Sequence, residues 1–342
     1  MDTSGIDFFF KNGKTTGMHD QLSFTCYSRE CPENIKSSKV KMESQSYFKF
    51  EQAMDKKLVK EILEGRGLKE MSDFMINGIF KKSVFSMPEI MAILNFTPDS
   101  FYAASRVKDG AQIMNAIESG CQILDIGAES TRPGAIETTP DEEIRRLASA
   151  FESIDRRDGY KISLDSRHYR TVDSFIGEID IINDISGMED LKLPEAARDE
   201  GKSYVLMHIK GNPTNMNKMA TYDDLFGEMA KFFFEKLKAL NQLGLKPEKI
   251  IIDPGLGFSK KGVQNLEIVR NPGAFNFGFK RLFGHSRKSF LNLNSKNKPE
   301  ERLPETLSVS LHLATEGVEI LRVHDPVENI NALRFFQKLR VH

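Results

Sequence analysis

The feature that most constrains the fold is a regular alternation of short apolar runs and helical stretches over residues 86–342. A short apolar run followed by apolar residues at helical spacing is typical of one strand and one helix of an α/β protein. Eight such runs occur: IMAILN (90–95), CQILDIG (121–127), YKISLD (160–165), IDIINDI (179–185), SYVLMH (203–208), KIIIDPG (249–255), KRLFGH (280–285) and VEILRVH (318–324). Eight strands that alternate with eight helices over about 255 residues predict a (β/α)8 barrel, or TIM barrel.

An open, doubly wound sheet is the alternative fold for the same alternation. Such a sheet often has a glycine-rich turn after its first strand, where the phosphates of a dinucleotide bind. Here the first apolar run is followed by NFTPDSF, which lacks those glycines. The barrel is therefore the favoured interpretation, and the doubly wound sheet stays open as the second.

Residues 1–72 do not share this alternation and are predicted to form an N-terminal extension of unknown role. The stretch of about 50–67 has apolar residues at helical spacing, so we expect a helix there that packs on the barrel or on a partner subunit. The barrel domain, residues 73–342, is expected to open with a β-hairpin at residues 73–85. The reason is the Asn-Gly pair at 77–78, which is a strong turn signal.

Charge, hydropathy and cysteine content argue against several classes of protein. The formal net charge of -1 argues against nucleic acid as a partner, because nucleic-acid binders usually carry a basic excess. No apolar run of about 18 residues is present, so no membrane span is predicted. The cysteines Cys26, Cys31 and Cys121 are sparse and odd in number, which predicts reduced thiols and a cytoplasmic location.

Polar residues follow the predicted strands at the end where barrel enzymes carry out their chemistry. Acidic and amide groups end the third, fourth and sixth strands, and cations follow the seventh and eighth. Because unpaired buried charges cost several kcal/mol each, this sorting indicates a binding site. The strand-end residues are Asn95, Asp125, Asp165, Asn183, Asp184, His208, Asp253, the segment Ser286–Ser289, Arg322 and His324.

The chemistry of these groups suggests a ligand with two different ends. A carboxylate accepts two parallel hydrogen bonds, which suits the adjacent ring N–H and amino groups of a flat heterocycle. Cations after the last two strands match the common phosphate site of such barrels. Asn95 offers a neutral oxygen to a hard cation such as Mg2+, which usually bridges phosphates. We therefore expect a ligand with a flat polar ring at one end and phosphates at the other.

Eight motifs at these strand ends resemble dihydropteroate synthase, a pterin-binding barrel family, over roughly residues 86–342. They are, in family order, ILNFTPDSF, DIGAESTRPGA, SLDS, INDIS, LMHIKGNPTNM, DPGLGFSK, GHSRKS and RVHD. The resemblance implies a homodimeric, Mg2+-using transferase of folate biosynthesis and a sulfonamide target. This enzyme joins 6-hydroxymethyl-7,8-dihydropterin pyrophosphate to p-aminobenzoate, giving 7,8-dihydropteroate and pyrophosphate. It also implies a dissociative mechanism, in which pyrophosphate leaves before the aniline nitrogen attacks.

The resemblance also implies roles for individual residues. Asp165, Lys288 and Asn95 are the expected catalytic groups, and Asn95 is also the expected metal ligand. The expected pterin-binding residues are Asp165, Asn183, Asp253, Lys288, Met207, Ile185 and Gly257. The expected pyrophosphate-binding residues are Asn95, Arg322 and His324. The expected p-aminobenzoate-binding residues are Thr131, Arg132, Pro133, Phe258 and Ser289.

Two of the chain's departures from the family pattern bear directly on the site. The first loop has Tyr102-Ala103-Ala104 where the family often has a glycine pair, which predicts a stiffer loop. His285 stands where the family commonly has an apolar residue or threonine, and it could titrate near the site.

Two other functions stay open. A barrel methyltransferase that acts on methyltetrahydrofolate would share the acidic and amide groups but would not need the STRPG, SRKS and RVHD motifs. A non-catalytic pterin-binding module would be expected to have lost some of the polar strand-end groups, and the sequence retains them.

Overall fold

The chain begins with a small antiparallel sheet that precedes the barrel. The computed structural model describes residues 5–15, 21–32, 35–42, 45–96, 111, 113–129, 138–152, 154, 159–292 and 297–340. The sheet has the strand order β1-β2-β4-β3 and is followed by two helices. Their bounds are β1 (Ile6–Thr15), β2 (Leu22–Ser28), β3 (Ser38–Met42), β4 (Gln45–Met54), α1 (Lys56–Gly65) and α2 (Ser72–Ile79).

Eight parallel strands then form a closed barrel, and each is followed by a helix. The predicted fold class, a (β/α)8 barrel with an N-terminal extension, is confirmed. The strands are β5 (Glu89–Asn95), β6 (Ile123–Gly127), β7 (Lys161–Asp165), β8 (Ile181–Asp184), β9 (Ser203–Met207), β10 (Ile250–Asp253), β11 (Lys280–Phe283) and β12 (Ile320–Val323). The helices are α3 (113–119), α4 (Pro140–Glu152), α5 (Tyr169–Phe175), α6 (Lys192–Asp199), α7 (Leu225–Leu243), α8 (Gly262–Arg270), α9 (Leu303–Thr315) and α10 (Pro326–Arg340).

Strand pairing sets the level of the polar residues at the carboxyl ends. Asn95 pairs with Gly127, Gly127 with Asp165, and Asp165 with Asn183. These residues therefore lie side by side at one rim of the barrel. Closer to the amino ends of the strands, the interior is filled by Met91, Ile123, Ile181, Val205, Ile251, Leu282 and Ile320. The barrel is thus a packed core with its polar groups at one end.

The predicted helix at about 50–67 is too long at its start. Strand β4 continues to Met54, and α1 begins only at Lys56. Asp55 separates them as the helix N-cap, and its carboxylate accepts a hydrogen bond from Leu58 N at 2.8 Å.

The predicted hairpin at residues 73–85 is wrong, because residues 73–79 lie in α2 and residues 80–85 form no strand. Met75, Ile76 and Ile79 are buried at helical spacing. Gly78 lies near the end of the helix and allows a close approach rather than a turn: an added Cβ would lie 2.3 Å from Gly278 O. Helix α2 therefore packs directly against the loop before β11, at the amino end of the barrel. Within the described ranges, no helix is long and apolar enough to cross a membrane.

Candidate active site

A polar cluster occupies the carboxyl-end rim of the barrel, and we call Asp125, Asp165, Asn183 and Arg322 the rim cluster. Arg322 donates from Nε to Asp125 Oδ2 at 2.6 Å and from Nη2 to Asp165 Oδ2 at 2.5 Å. Asn183 Nδ2 donates to Asp125 Oδ1 at 3.2 Å. The side chains of both aspartates and of the asparagine are buried. One guanidinium therefore serves two buried carboxylates that come from neighbouring parts of the rim.

Asp165 has an oxygen that is available to a ligand. Its Oδ2 is held by Arg322, whereas Oδ1 is buried without a hydrogen-bond partner among the described residues. Burial raises the pKa of Asp165 to about 7, with Arg322 opposing the shift and the charge of Asp125 adding to it. A buried polar atom without a partner is costly, so this oxygen is suited to a hydrogen bond from a bound molecule.

The charges of Asp253 and Lys288 interact near the carboxyl end of β10. Asp253 is buried, and its Oδ1 accepts a hydrogen bond from Gly255 N at 2.7 Å. Burial lowers the pKa of Lys288 to about 8, although the negative Asp253 opposes that shift. The Lys288 ammonium donates to Leu256 O and lies 4.7 Å from the centroid of the Phe258 ring. These contacts hold the Lys288 cation against the loop that follows β10.

Gly257 makes room for this lysine. Its φ is +79°, in the left-handed region, and an added Cβ would lie 3.0 Å from Lys288 Cδ. Both the backbone conformation and the space around it therefore favour glycine.

An apolar surface lies next to the polar groups, and we call it the apolar wall. Three of its members, Ile185, Met207 and Phe258, were predicted as site residues, and the structure brings them together. Its other members, Ile209 and Met216, come from the loop after β9 and were not predicted, because their apolar character alone does not distinguish them from core residues. The complete set is Ile185, Met207, Ile209, Met216 and Phe258.

The predicted phosphate-binding residues do not all lie together. Asn95 and His324 line one cleft of about 360 Å³ at the carboxyl end of β5 and β12, and Arg287 lines it too. His324 Nδ1 lies 3.1 Å from Ser286 Oγ. Arg322 instead points at the two carboxylates of the rim cluster. Arg287, for which the sequence suggested no role, pairs with Asp325 through two hydrogen bonds.

Part of the predicted p-aminobenzoate site can be placed. Ser289 is exposed and begins a short 3-10 helix, Ser289–Asn292. Phe258 lies in the apolar wall. Thr131, Arg132 and Pro133 lie outside the described residues, as do residues 102–104 of the first loop.

His285 does not lie where its titration could serve the rim. It is fully buried, and its Nε2 lies 2.8 Å from Ser310 Oγ of α9. Ser310 in turn donates to Asn329 Oδ1 of α10 at 2.6 Å. Burial lowers the pKa of His285 to about 4, so the ring is neutral near pH 7. The expectation that it titrates near the site is wrong, because its side chain faces the outer helices.

Lys260 organises the site and was missed by sequence reasoning. Its buried Nζ lies 3.0 Å from His208 Nδ1, 3.1 Å from Gly255 O and 2.9 Å from Phe258 O. These contacts tie the loop after β10, which carries Gly257 and Phe258, to the end of β9. In the sequence Lys260 stands beside the exposed Lys261, and nothing in the local pattern distinguishes the two.

Comparison with known proteins agrees with this geometry. A family model described as "Pterin binding enzyme" matches residues 91–324. The dihydropteroate synthase of Escherichia coli K12 is 36% identical over 255 residues, which is 73% of this chain and 90% of that protein. The dihydropteroate synthase of Neisseria meningitidis serogroup B is 34% identical over 268 residues, covering 75% of this chain and 94% of that protein.

Solved structures give the same result. The Yersinia pestis dihydropteroate synthase in a sulfonamide drug complex superposes with a TM-score of 0.69 at 30% identity, covering 74% of this chain and 94% of that one. The Xanthomonas albilineans dihydropteroate synthase with 4-aminobenzoic acid has a TM-score of 0.69 at 30% identity, with coverage of 75% and 94%. The chain therefore belongs to the pterin binding enzyme family, among the dihydropteroate synthases.

Proposed function

We propose that the protein is a dihydropteroate synthase, a transferase that joins 6-hydroxymethyl-7,8-dihydropterin pyrophosphate to p-aminobenzoate and releases pyrophosphate. The observation that carries this proposal is the rim cluster, in which a buried oxygen of Asp165 lacks a partner among the described residues. It lies at the end of the barrel where such enzymes bind substrate. The matched relatives carry the same name.

The pterin ring is bound by the rim cluster and its neighbours. Asp165 and Asp253 offer acceptors to the ring N–H and amino groups, whereas Asn183 and Lys288 offer donors to ring acceptors. Met207 and Ile185 of the apolar wall cover one face of the flat ring. Gly257 lets the lysine lie against the loop backbone.

Loss of pyrophosphate is the first chemical step. The C–O bond of the methylene group breaks, its electron pair stays on the pyrophosphate oxygen, and the positive charge spreads into the pterin ring. The negative Asp165 favours that cation, and Arg322 holds the carboxylate in place. His324, in the cleft with Asn95, offers a hydrogen bond to the leaving oxygens.

A magnesium ion fits this end of the site as a partner of the leaving group. Among the described residues, no set of three or more His, Cys, Asp or Glu side chains could hold a metal. Mg2+ often keeps several waters and binds substrate phosphates with one or two protein oxygens, so the exposed Asn95 carboxamide suffices as a ligand. When bound, the ion would neutralise charge on the leaving oxygens.

The aniline nitrogen then completes the reaction. Its lone pair forms the new C–N bond, and the nitrogen loses a proton to water or to the departing pyrophosphate. No strong base is required, because an aromatic amine is largely neutral near pH 7. Phe258 packs on the benzoate ring, and Ser289 donates to its carboxylate. Thr131, Arg132 and Pro133 complete this side of the site in the proposal.

The decisive experiment measures pyrophosphate release by the purified full-length protein. The assay contains the pterin pyrophosphate and Mg2+, with and without p-aminobenzoate. We expect release that depends on p-aminobenzoate. Release that is absent although the pterin still binds would favour a non-catalytic pterin-binding module instead.

A variant pair assigns the activity to the rim. Asp165→Asn should lower turnover strongly while the protein stays folded. Asp173→Asn, which removes the same charge from the exposed face of α5, should leave turnover unchanged. Equal turnover in the two variants would remove Asp165 from its proposed role.

We further propose a homodimer in the cytoplasm. Phe335 and Leu339, one turn apart on α10, are exposed and suit a subunit contact. The cysteines Cys26, Cys31 and Cys121 are free thiols, which suits a reducing compartment. Light scattering after gel filtration would test the dimer, and a monomeric mass would contradict it.

A further inference from the structure

The N-terminal sheet contacts the start of α7, and this contact leads to the active site. We propose that Tyr27 and Lys49 are positioning residues for the loop of residues 208–224, which contributes to the apolar wall. The expected effect on KM for the pterin substrate rests on the proposed function. The family model begins at residue 91, so the sheet lies outside the part of the chain that the family model matches.

The contact centres on Asp224, the N-cap of α7. Its Oδ1 accepts a hydrogen bond from Gly227 N at 3.2 Å, as an N-cap carboxylate should. Its Oδ2 accepts from Tyr27 OH at 2.8 Å and from Lys49 Nζ at 2.7 Å. The Asp224 side chain is only 10% exposed. A carboxylate buried to this extent needs its partners, so the first turn of α7 depends on the sheet.

The sheet lies so close to α7 that a side chain at position 227 would not fit. A Cβ on Gly227 would lie 2.8 Å from Tyr27 OH and 2.9 Å from Met42 Sδ. Glycine inside a helix costs about 1 kcal/mol relative to alanine, so close docking accounts for its presence here. The rings of Phe10 and Phe226 extend the contact, with their centroids 5.6 Å apart.

The first turn of α7 contacts both ends of the 208–224 loop. Glu228 is buried, and its Oε1 accepts a hydrogen bond from Asp223 N at 2.8 Å. Its Oε2 pairs with Lys210, near the start of the loop. Lys210 Nζ also donates to Thr221 O at 3.0 Å and lies 4.0 Å from the centroid of the Tyr222 ring. Lys210 thus joins the beginning of the loop, its end and the helix.

The same loop provides side chains to the site. Ile209 and Met216 pack with the predicted pterin residues in the apolar wall. Lys210 N donates to Ser259 Oγ at 2.9 Å, in the loop that carries Phe258. A shift of the first turn of α7 would therefore move the surface on which the pterin ring is proposed to lie.

The test removes both donors and keeps the apolar packing. The double variant Tyr27→Phe, Lys49→Met is compared with wild type and with Lys39→Met, a matched control. Lys39 is exposed on β3 and pairs in register with Phe48 of β4, next to Lys49. All three full-length proteins are followed by hydrogen–deuterium exchange of the ligand-free enzyme and by steady-state kinetics.

We expect exchange of backbone amides in 208–224 to become at least about tenfold faster in the double variant, because two hydrogen bonds to one carboxylate are lost. Exchange in the barrel strands and in the control should match wild type. We expect KM for the pterin substrate to rise several-fold with little change in kcat. A purely structural defect would instead lower the amount of active enzyme, and so lower apparent kcat at unchanged KM.

The proposal would be overturned by exchange in the loop that stays at the wild-type rate, or by exchange that rises uniformly over the whole chain. Faster exchange confined to the loop, with KM unchanged, would also refute the link to the site. Exchange is measured without substrate, so an inactive wild-type protein would count against the proposed function and not against the contact itself.

Discussion

Replacing Asp125 by asparagine removes one negative charge from the rim cluster and keeps the shape of the side chain. Asp125 is completely buried and accepts hydrogen bonds from Arg322 Nε and Asn183 Nδ2. After the change, Asp165 is the remaining carboxylate that bonds the Arg322 guanidinium. The variant therefore tests whether the paired charges of the rim cluster stabilise one another.

The structure allows the size of the effect to be estimated. Removing one partner of a buried ion pair costs about 3–5 kcal/mol, because the other charge is left uncompensated. Arg322 keeps its bond to Asp165, so we expect a loss near the lower limit, about 3 kcal/mol in the free energy of unfolding. At roughly 2 °C for each kcal/mol in a large domain, Tm should fall by about 6 °C.

The variant should also change how stability depends on pH. In the wild type, the pKa of Asp165 is raised to about 7, so the stability it contributes at low pH is lost as pH rises through 7. The charge of Asp125 is one cause of that rise. Without the charge of Asp125, the pKa of Asp165 falls towards its ordinary value. The variant therefore loses less stability than the wild type as the pH rises. The Tm deficit of the variant should therefore be larger at pH 5 than at pH 8.

Thermal unfolding at both pH values measures these effects, with Glu89→Gln as the matched control. Glu89 lies at the opposite end of the barrel and pairs with Lys161 and Lys280, whose side chains are about half exposed. Ion pairs of this kind contribute about 0–1 kcal/mol. A Tm deficit for Asp125→Asn no larger than that for Glu89→Gln, or a deficit that grows from pH 5 to pH 8, would contradict mutual stabilisation of the rim charges.

Three further predictions follow from the site and its support. The pH profile of kcat/KM should have an acid limb near pH 7 from Asp165 and an alkaline limb near pH 8 from Lys288. Lys288→Arg should move the alkaline limb to higher pH. An alkaline limb at the same pH in this variant would contradict the assignment. Gly257→Ala should raise KM for the pterin substrate about tenfold. The reason is that a left-handed non-glycine residue costs about 1–2 kcal/mol and its Cβ would press on Lys288. An unchanged KM in this variant would argue against the proposed role of Gly257. Gly78→Ala should destabilise the protein by about 1–3 kcal/mol in thermal unfolding. Gly65→Ala should not, because its added Cβ meets no atom within 4 Å. Equal Tm values for the two variants would refute the close packing of α2 against Gly278.

The barrel could be predicted from the sequence alone, because parallel strands buried on both faces appear as continuous apolar runs. The same runs located the rim, since the polar residue that follows each run lies at a carboxyl end. Asp165, Asn183 and Asp253 were placed correctly at the rim for this reason. The hairpin prediction failed because an Asn-Gly pair favours a turn only when the backbone there is free to bend. Here the pair lies in α2, and the glycine meets Gly278 from another part of the chain.

The amino-acid sequence by itself determined the order of strands and helices, the chemical sorting of the rim and the family. These properties depend on local periodicity and on residue type, which are visible along the chain. Only the tertiary structure decided which way each rim side chain points. His285 turns to the outer helices and Arg322 turns to two carboxylates, because strand twist and packing set these directions. The tertiary structure also decided that Tyr27 and Lys49 meet Asp224, a contact across more than half of the chain that no local pattern encodes.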